Sequence, residues 1–128
     1  MAHNEHHEHL IKELREILEP VFLNSPQGVY LYLDDVHKAC NQKFSDMLGY
    51  SSPAEWRANE FPISDVAQGD QQKGIDAYES ASRNFKASTI SGTWNRKDGE
   101  QVHTDVTFVP LSYRGEVFVL HFVSEKKN

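Results

Sequence analysis

Three strand-like segments close the chain, from about Lys86 to Arg96, Gln101 to Ser112 and Glu116 to Ser124, with Asp98-Gly99 and Arg114-Gly115 between them. Glycine supplies the positive φ that a short hairpin turn needs, so neighbouring segments are expected to pair antiparallel. A turn at Arg114-Gly115 puts Phe108 opposite His121 and Leu111 opposite Phe118. Alternation then sorts Val109, Leu111, Phe118, Leu120 and Phe122 onto one face, and Val106, Phe108, Pro110, Val117, Val119 and Val123 onto the other. A sheet that is apolar on both faces has to be covered on both, and this governs what the rest of the chain must do.

The 128 residues are the length of one domain with a single core. Leu10, Leu14, Ile17 and Leu18 recur at helical spacing, with Lys12, Glu13, Arg15 and Glu16 on the solvated side, and Pro20 is expected to stop this amphipathic helix by about Glu19. Turn chemistry at Asn24-Ser25-Pro26-Gln27-Gly28 leads into an alternating run to Leu33. That run, Asp34-Asp35 and His37 to Cys40 predict a β-hairpin. Asn41 to Gly49 predicts a short helix with Asn41 as its cap and Gly49 at its left-handed exit. Ser52-Pro53-Ala54-Glu55 predicts another, with a hydroxyl at the cap, proline first, and a carboxylate able to reach back to the cap amide. After a break at Phe61 to Asp65, Ile75, Tyr78, Ser82 and Phe85 mark one side of a helix from about Asp65 to Asn84.

The expected fold is α+β: a five-stranded antiparallel sheet with short helices on one face and an N-terminal amphipathic helix. That helix, or a partner's copy of it, covers the second face. The chain divides into this helix over 1–22, a main domain over 23–124 and a polar tail over 125–128.

Composition removes several classes of function. Thirteen Lys and Arg against nineteen Asp and Glu leave a net charge of −6, which argues against nucleic acid or an anionic membrane as partner. A lone cysteine, Cys40, excludes an internal disulfide and any multi-cysteine zinc centre. Neither a signal peptide nor a long apolar span is visible, so a cytoplasmic location is expected. His3, His6, His7 and His9 have spacings that could clamp a metal on one helix side. They fall in a terminus read as unanchored, so no metal site is assigned there.

Asn41-Gln42-Lys43-Phe44-Ser45-Asp46-Met47-Leu48-Gly49-Tyr50-Ser51 is similar to the N-x-x-F-x-x-x-L-G-Y-S signature of PAS sensory domains, and Arg96-Lys97-Asp98-Gly99 resembles their R-K-D-G turn. Ser25-Pro26-Gln27-Gly28-Val29 looks like the family's opening strand, and the likeness runs from about Leu23 to Ser124. The departures are a shorter first hairpin without its usual glycine and Val123-Ser124-Glu125 in place of D-I-T. An excised sensor segment and a free-standing adaptor both remain open.

The resemblance implies a non-enzymatic sensory module that binds a small molecule or protein partner and passes its state on through dimer packing to a downstream signalling protein. It places a ligand between the helices and the inner sheet face, where the candidates are Asn41, Trp56, Phe61, Ile75, Tyr78, Ile90, Phe118 and Leu120. The same aromatic side chains also read as core that fills the space, and Asn41 reads as a helix cap. A homodimer interface is assigned to Leu10, Leu14, Ile17, Leu18, Val117 and Val119.

The cofactor stays unknown. Cys40 lies on a strand, away from the helical block where the light-oxygen-voltage branch of the family carries its flavin-reactive cysteine. The long helix has no histidine of the kind that haem-binding relatives use, which leaves only strand histidines such as His103 and His121. Two other readings stay beside this one: a small cone-shaped isomerase or hydrolase with Asp105 as general base in a closed pocket, and a purely structural dimerisation unit without a cavity.

Overall fold

The computed structural model describes residues 2–126, with side chains from Glu5 onward. Two leading helices, α1 (Ala2–Ile17) and α2 (Glu19–Asn24), precede the hairpin β1 (Gly28–Tyr32) and β2 (Lys38–Cys40). The central block is α3 (Gln42–Met47), α4 (Pro53–Arg57), a 3-10 turn at Pro62–Asp65 and α5 (Gln68–Asn84). The chain then runs through β3 (Ser88–Asn95), β4 (Gln101–Tyr113) and β5 (Glu116–Glu125). The sheet order is β2-β1-β5-β4-β3, and every pairing is antiparallel.

Local chemistry accounts for most of these boundaries. Pro20 does more than end a helix: α1 stops at Ile17, and the proline sits in the first turn of α2, where its missing amide is no loss. Asn41 Oδ1 accepts from the amides of Phe44 (2.9 Å) and Val29 (3.0 Å), and its Nδ2 donates to the Gln27 carbonyl, so one side chain caps α3 and ties it to β1. Ser52 caps α4, accepting from the Glu55 amide. The Glu55 carboxylate reaches one residue beyond the expected cap amide, to that of Ser51, at 2.7 Å.

The Arg96–Gly99 turn docks on the end of α3. Arg96 Nη1 donates to the Met47 carbonyl at 2.7 Å, and the Lys97 amide donates to that of Leu48. Gly49, at φ +81°, lies where a Cβ would come within 3.4 Å of the Arg96 guanidinium and the Lys97 amide. The two motif segments are thus one contact. Arg114 and Gly115 both have positive φ, as a two-residue hairpin turn matching the strand twist requires.

The register is the expected one, Phe108 opposite His121 and Leu111 opposite Phe118, but the two faces are exchanged relative to the sequence reading. The helical block covers Val106, Phe108, Val119 and Val123, which form one core with Tyr30, Phe44, Leu48, Trp56 and Trp94. Phe118 and Leu120 belong to the other core, with Val29, Leu31 and Phe22, and there Leu10, Ile11 and Leu14 of α1 cover them.

Three assignments to a dimer interface change accordingly. Leu10 and Leu14 are buried in their own chain and Val119 lies in the inner core. Val117 is half-buried on the same side as Val119, Leu18 packs at the edge of the outer core, and Ile17 is 60% exposed.

Beyond the reach of α1 the outer face is polar and braces itself through cross-strand pairs: Thr89 with Thr107, Ser91 with Asp105, and Thr93 with His103. The same-chain helix therefore covers the apolar part of this face, and the remainder meets water.

Candidate functional site

A cavity of about 390 Å³ lies between the inner sheet face and the helical block. Its floor comes from strands: Tyr30 on β1, Ile90 and Trp94 on β3, Val106 and Phe108 on β4, and His121 on β5. Trp56 of α4, the 3-10 turn, and Ile75 and Tyr78 of α5 form the roof; Asp35, Asp70, Glu79 and Arg83 stand at the rim. Strand alternation aims the floor residues to one side, and the i, i+3 spacing of Ile75 and Tyr78 puts both on the sheet-facing stripe of α5.

The roof is fastened at several points. Tyr78 Oη donates to the Leu33 carbonyl at 3.0 Å, which pins α5 to the hairpin loop. Asp70 accepts from the Thr93 amide at 2.8 Å, and the Ala67 amide donates to the Thr93 carbonyl, so the start of α5 is fixed to the edge strand. These contacts explain why α5 begins at Gln68 and not near Asp65: the chain first bridges Val66 to Trp94. Behind Trp56, the buried Lys38 ammonium donates to the carbonyls of Arg57 and Asn59 and stands 5.4 Å from the indole ring centroid.

The wall is aromatic and neutral. Tyr30 stacks on His121 with centroids 3.8 Å apart, and Phe108 meets the same imidazole edge-on. Burial lowers His121 to about 3, and its Nδ1 donates to the Val119 carbonyl at 3.1 Å. Burial likewise raises the phenols of Tyr30 and Tyr78, and that of Tyr32 with help from the Asp35 carboxylate its hydroxyl donates to. Trp94 Nε1 donates to Thr104 Oγ1 at 2.9 Å, whereas Trp56 Nε1 is buried with no hydrogen-bond partner among the described residues. A buried donor left unmade costs about 1–3 kcal/mol; the nitrogen itself is closed off from the cavity, since Trp56 is only 1% exposed.

Of the expected pocket residues, Trp56, Ile75, Tyr78 and Ile90 line the cavity. Asn41 is the cap and brace already described; Phe61 is 65% exposed; Phe118 and Leu120 lie in the opposite core. Tyr30, Trp94, Phe108 and His121 escaped the sequence reading of the pocket, in which His121 figured only as a strand histidine. Pairing Tyr30 with His121 and Phe108 with His121 puts all three on one face, a signal available once β1 is laid beside β5.

Cys40 is buried outside the cavity wall, and burial pushes its thiol up to about 12, which suppresses the reactive thiolate. Asp105 takes a hydrogen bond from Ser91 and an ion pair from Lys126 on the outer face, away from the cavity. This overturns its assignment as a general base in a closed pocket.

No family model matches the sequence, and no curated protein matches it. Solved structures do match. The PAS domain of an HTR-like protein from Haloarcula marismortui is 22% identical, covering 90% of this chain and 99% of that one at a TM-score of 0.61. A PAS domain from a two-component sensor histidine kinase is 18% identical over the same shares, at 0.64. The N-terminal domain of a diguanylate cyclase with PAS/PAC sensor from Marinobacter aquaeolei is 13% identical, covering 77% and 94%, at 0.63. The chain is a PAS-like domain by fold. No helix among the described residues is long and apolar enough to cross a membrane.

Proposed function

We propose that the chain is a sensory module whose cavity takes a small, uncharged, largely apolar molecule. The observation that carries this reading is the 390 Å³ cavity itself, walled by Tyr30, Trp94, Val106, Phe108 and a neutral His121. An ionised ligand would have to shed its water against neutral phenols and a neutral imidazole, which is costly without a buried counter-charge; the charged groups stand at the rim.

Occupancy would press on α4 and α5 and, through β1 and β5, on the α1 cover, because Tyr30 faces the cavity while its neighbour Leu31 packs in the outer core. Ile17 and Leu23, 60% and 68% exposed near the ends of α1 and α2, offer the apolar surface that a second copy or a downstream signalling protein would read. The module is non-enzymatic in this reading, since the cavity's buried polar groups are held neutral and its role is to bind. In this reading the module works in the cytoplasm.

Gly92 tests the proposal. It sits on the cavity floor with open space where its Cβ would be, so Gly92→Phe fills the cavity with little strain elsewhere. Native mass spectrometry of freshly purified chain, with an absorption spectrum alongside, should show a retained small-molecule mass that the variant lacks. The same retained mass on both proteins would place the ligand elsewhere and contradict the reading.

A further inference from the structure

A second cluster lies outside the cavity, where α1 meets the loop between β1 and β2. His37 Nδ1 lies 2.8 and 2.9 Å from the two oxygens of Asp34, in a loop where Asp34 Oδ1 also accepts from the amides of Val36 and His37. From α1, His7 brings Nδ1 to 3.9 Å from Asp34 Oδ2, while its Nε2 donates to Glu116 Oε1 at 3.1 Å. One ligand atom from each of His7, Asp34 and His37 falls within 4.8 Å of the others. The His37 side chain is only 5% exposed, yet its Nε2 has no hydrogen-bond partner among the described residues.

We propose that His7, Asp34 and His37 bind a divalent transition-metal ion of the zinc class, which staples the leading helix to the first hairpin. Two imidazoles and one carboxylate are the donor set that such ions prefer over magnesium or calcium, and three protein ligands leave a fourth position for water. Tetrahedral ligand atoms about 2.0–2.1 Å from zinc stand roughly 3.3 Å apart, so the Asp34–His37 pair opens slightly and the His7 side closes. Glu116 acts as a positioning residue: by accepting from Nε2–H it selects the tautomer of His7 whose Nδ1 is the basic nitrogen. Asp34, 44% exposed at its side chain, leaves a path for the ion. The sequence reading set the terminal histidines aside as unanchored. His7 lies in a formed helix with its side chain 13% exposed, while the side chain of His3 lies outside the described residues.

The test uses the full chain, stripped of metal with a chelator and titrated with zinc(II), then with cobalt(II) as a spectroscopic stand-in. The expected result is one equivalent bound, visible bands of four-coordinate intensity and a raised melting temperature. Asp34→Asn and His37→Ala should each weaken binding at least about tenfold, and the His6→Ala/His9→Ala double variant should keep it. If His37→Ala fails to fold by circular dichroism, Asp34→Asn, a change at a partly exposed carboxylate, decides. Undiminished binding in Asp34→Asn would put the metal on the terminal histidines alone, and that result, or no zinc binding at all, overturns the proposal.

Discussion

His121 and Asn41 show how much a single buried polar side chain can fix. His121 is neutral in the fold, lowered by burial to about 3, and returns to the ordinary histidine range near 6.5 when the chain unfolds. Between those values the unfolded state binds the extra proton. The imidazole's contribution is therefore complete above about pH 6.5 and is lost as pH falls toward 3, at about 1.4 kcal/mol per pH unit. Urea denaturation of the wild type and His121→Phe between pH 7 and 4 should give a stability difference that shifts in the variant's favour as pH falls. A constant difference would mean the imidazole is not buried as described. Asn41→Ala should lose about 1–3 kcal/mol in the same assay, because the amides of Val29 and Phe44 both lose their acceptor. The cap role of Asn41 was legible from its place before an apolar helical run. The burial of His121 was not, since an isolated strand histidine carries no mark of the face it will occupy until its partner strands are known.

At the scale of elements, α1 decides whether the outer sheet face is closed within one chain. Leu14 is buried against that face and Ile17 points to solvent. Leu14→Ala should then cost about 2–5 kcal/mol in chemical denaturation, while Ile17→Ala stays within about 0.5 kcal/mol. Equal losses would contradict the same-chain cover. If Ile17 and Leu23 form the surface read by a second copy, Ile17→Asp should lower the mass seen by sedimentation at unchanged stability, and an unaltered mass would remove them from that role. The strands and the register of β4 with β5 were readable from glycine placement and alternation; the register of β3 with β4 was not, and the face that each apolar set occupies was misread. A two-residue turn at Asp98-Gly99 would set Ile90 opposite Thr107 and so on the face of Phe118 and Leu120; the turn is one residue longer, with the Arg96 amide bonded to the Glu100 carbonyl, and this sets Ile90 opposite Val106 on the face of Phe108 and Val119. Pairing fixes which residues share a face, but which face the helices cover depends on crossovers and on where α1 folds back, and neither is written in local periodicity.

For the whole molecule, two separate cores share one sheet, one of them leaves a cavity, and the link between cavity and helix cover runs through alternate residues of the same strands. The fold was legible because two docking motif segments carry it. The cavity was only half legible, since aromatic side chains at helical and strand spacing fill space and line space with the same pattern. Trp56 and Trp94 are the chain's only tryptophans and both line the cavity, so tryptophan emission, excited apart from tyrosine, reports on this site. The most direct measurement is a titration of the full chain with neutral bicyclic aromatics, followed by tryptophan emission in the wild type and in Gly92→Phe. Saturable change in the wild type and none in the variant is the predicted result; a wild type that stays silent throughout, or a variant that responds equally, would contradict a ligand-binding cavity.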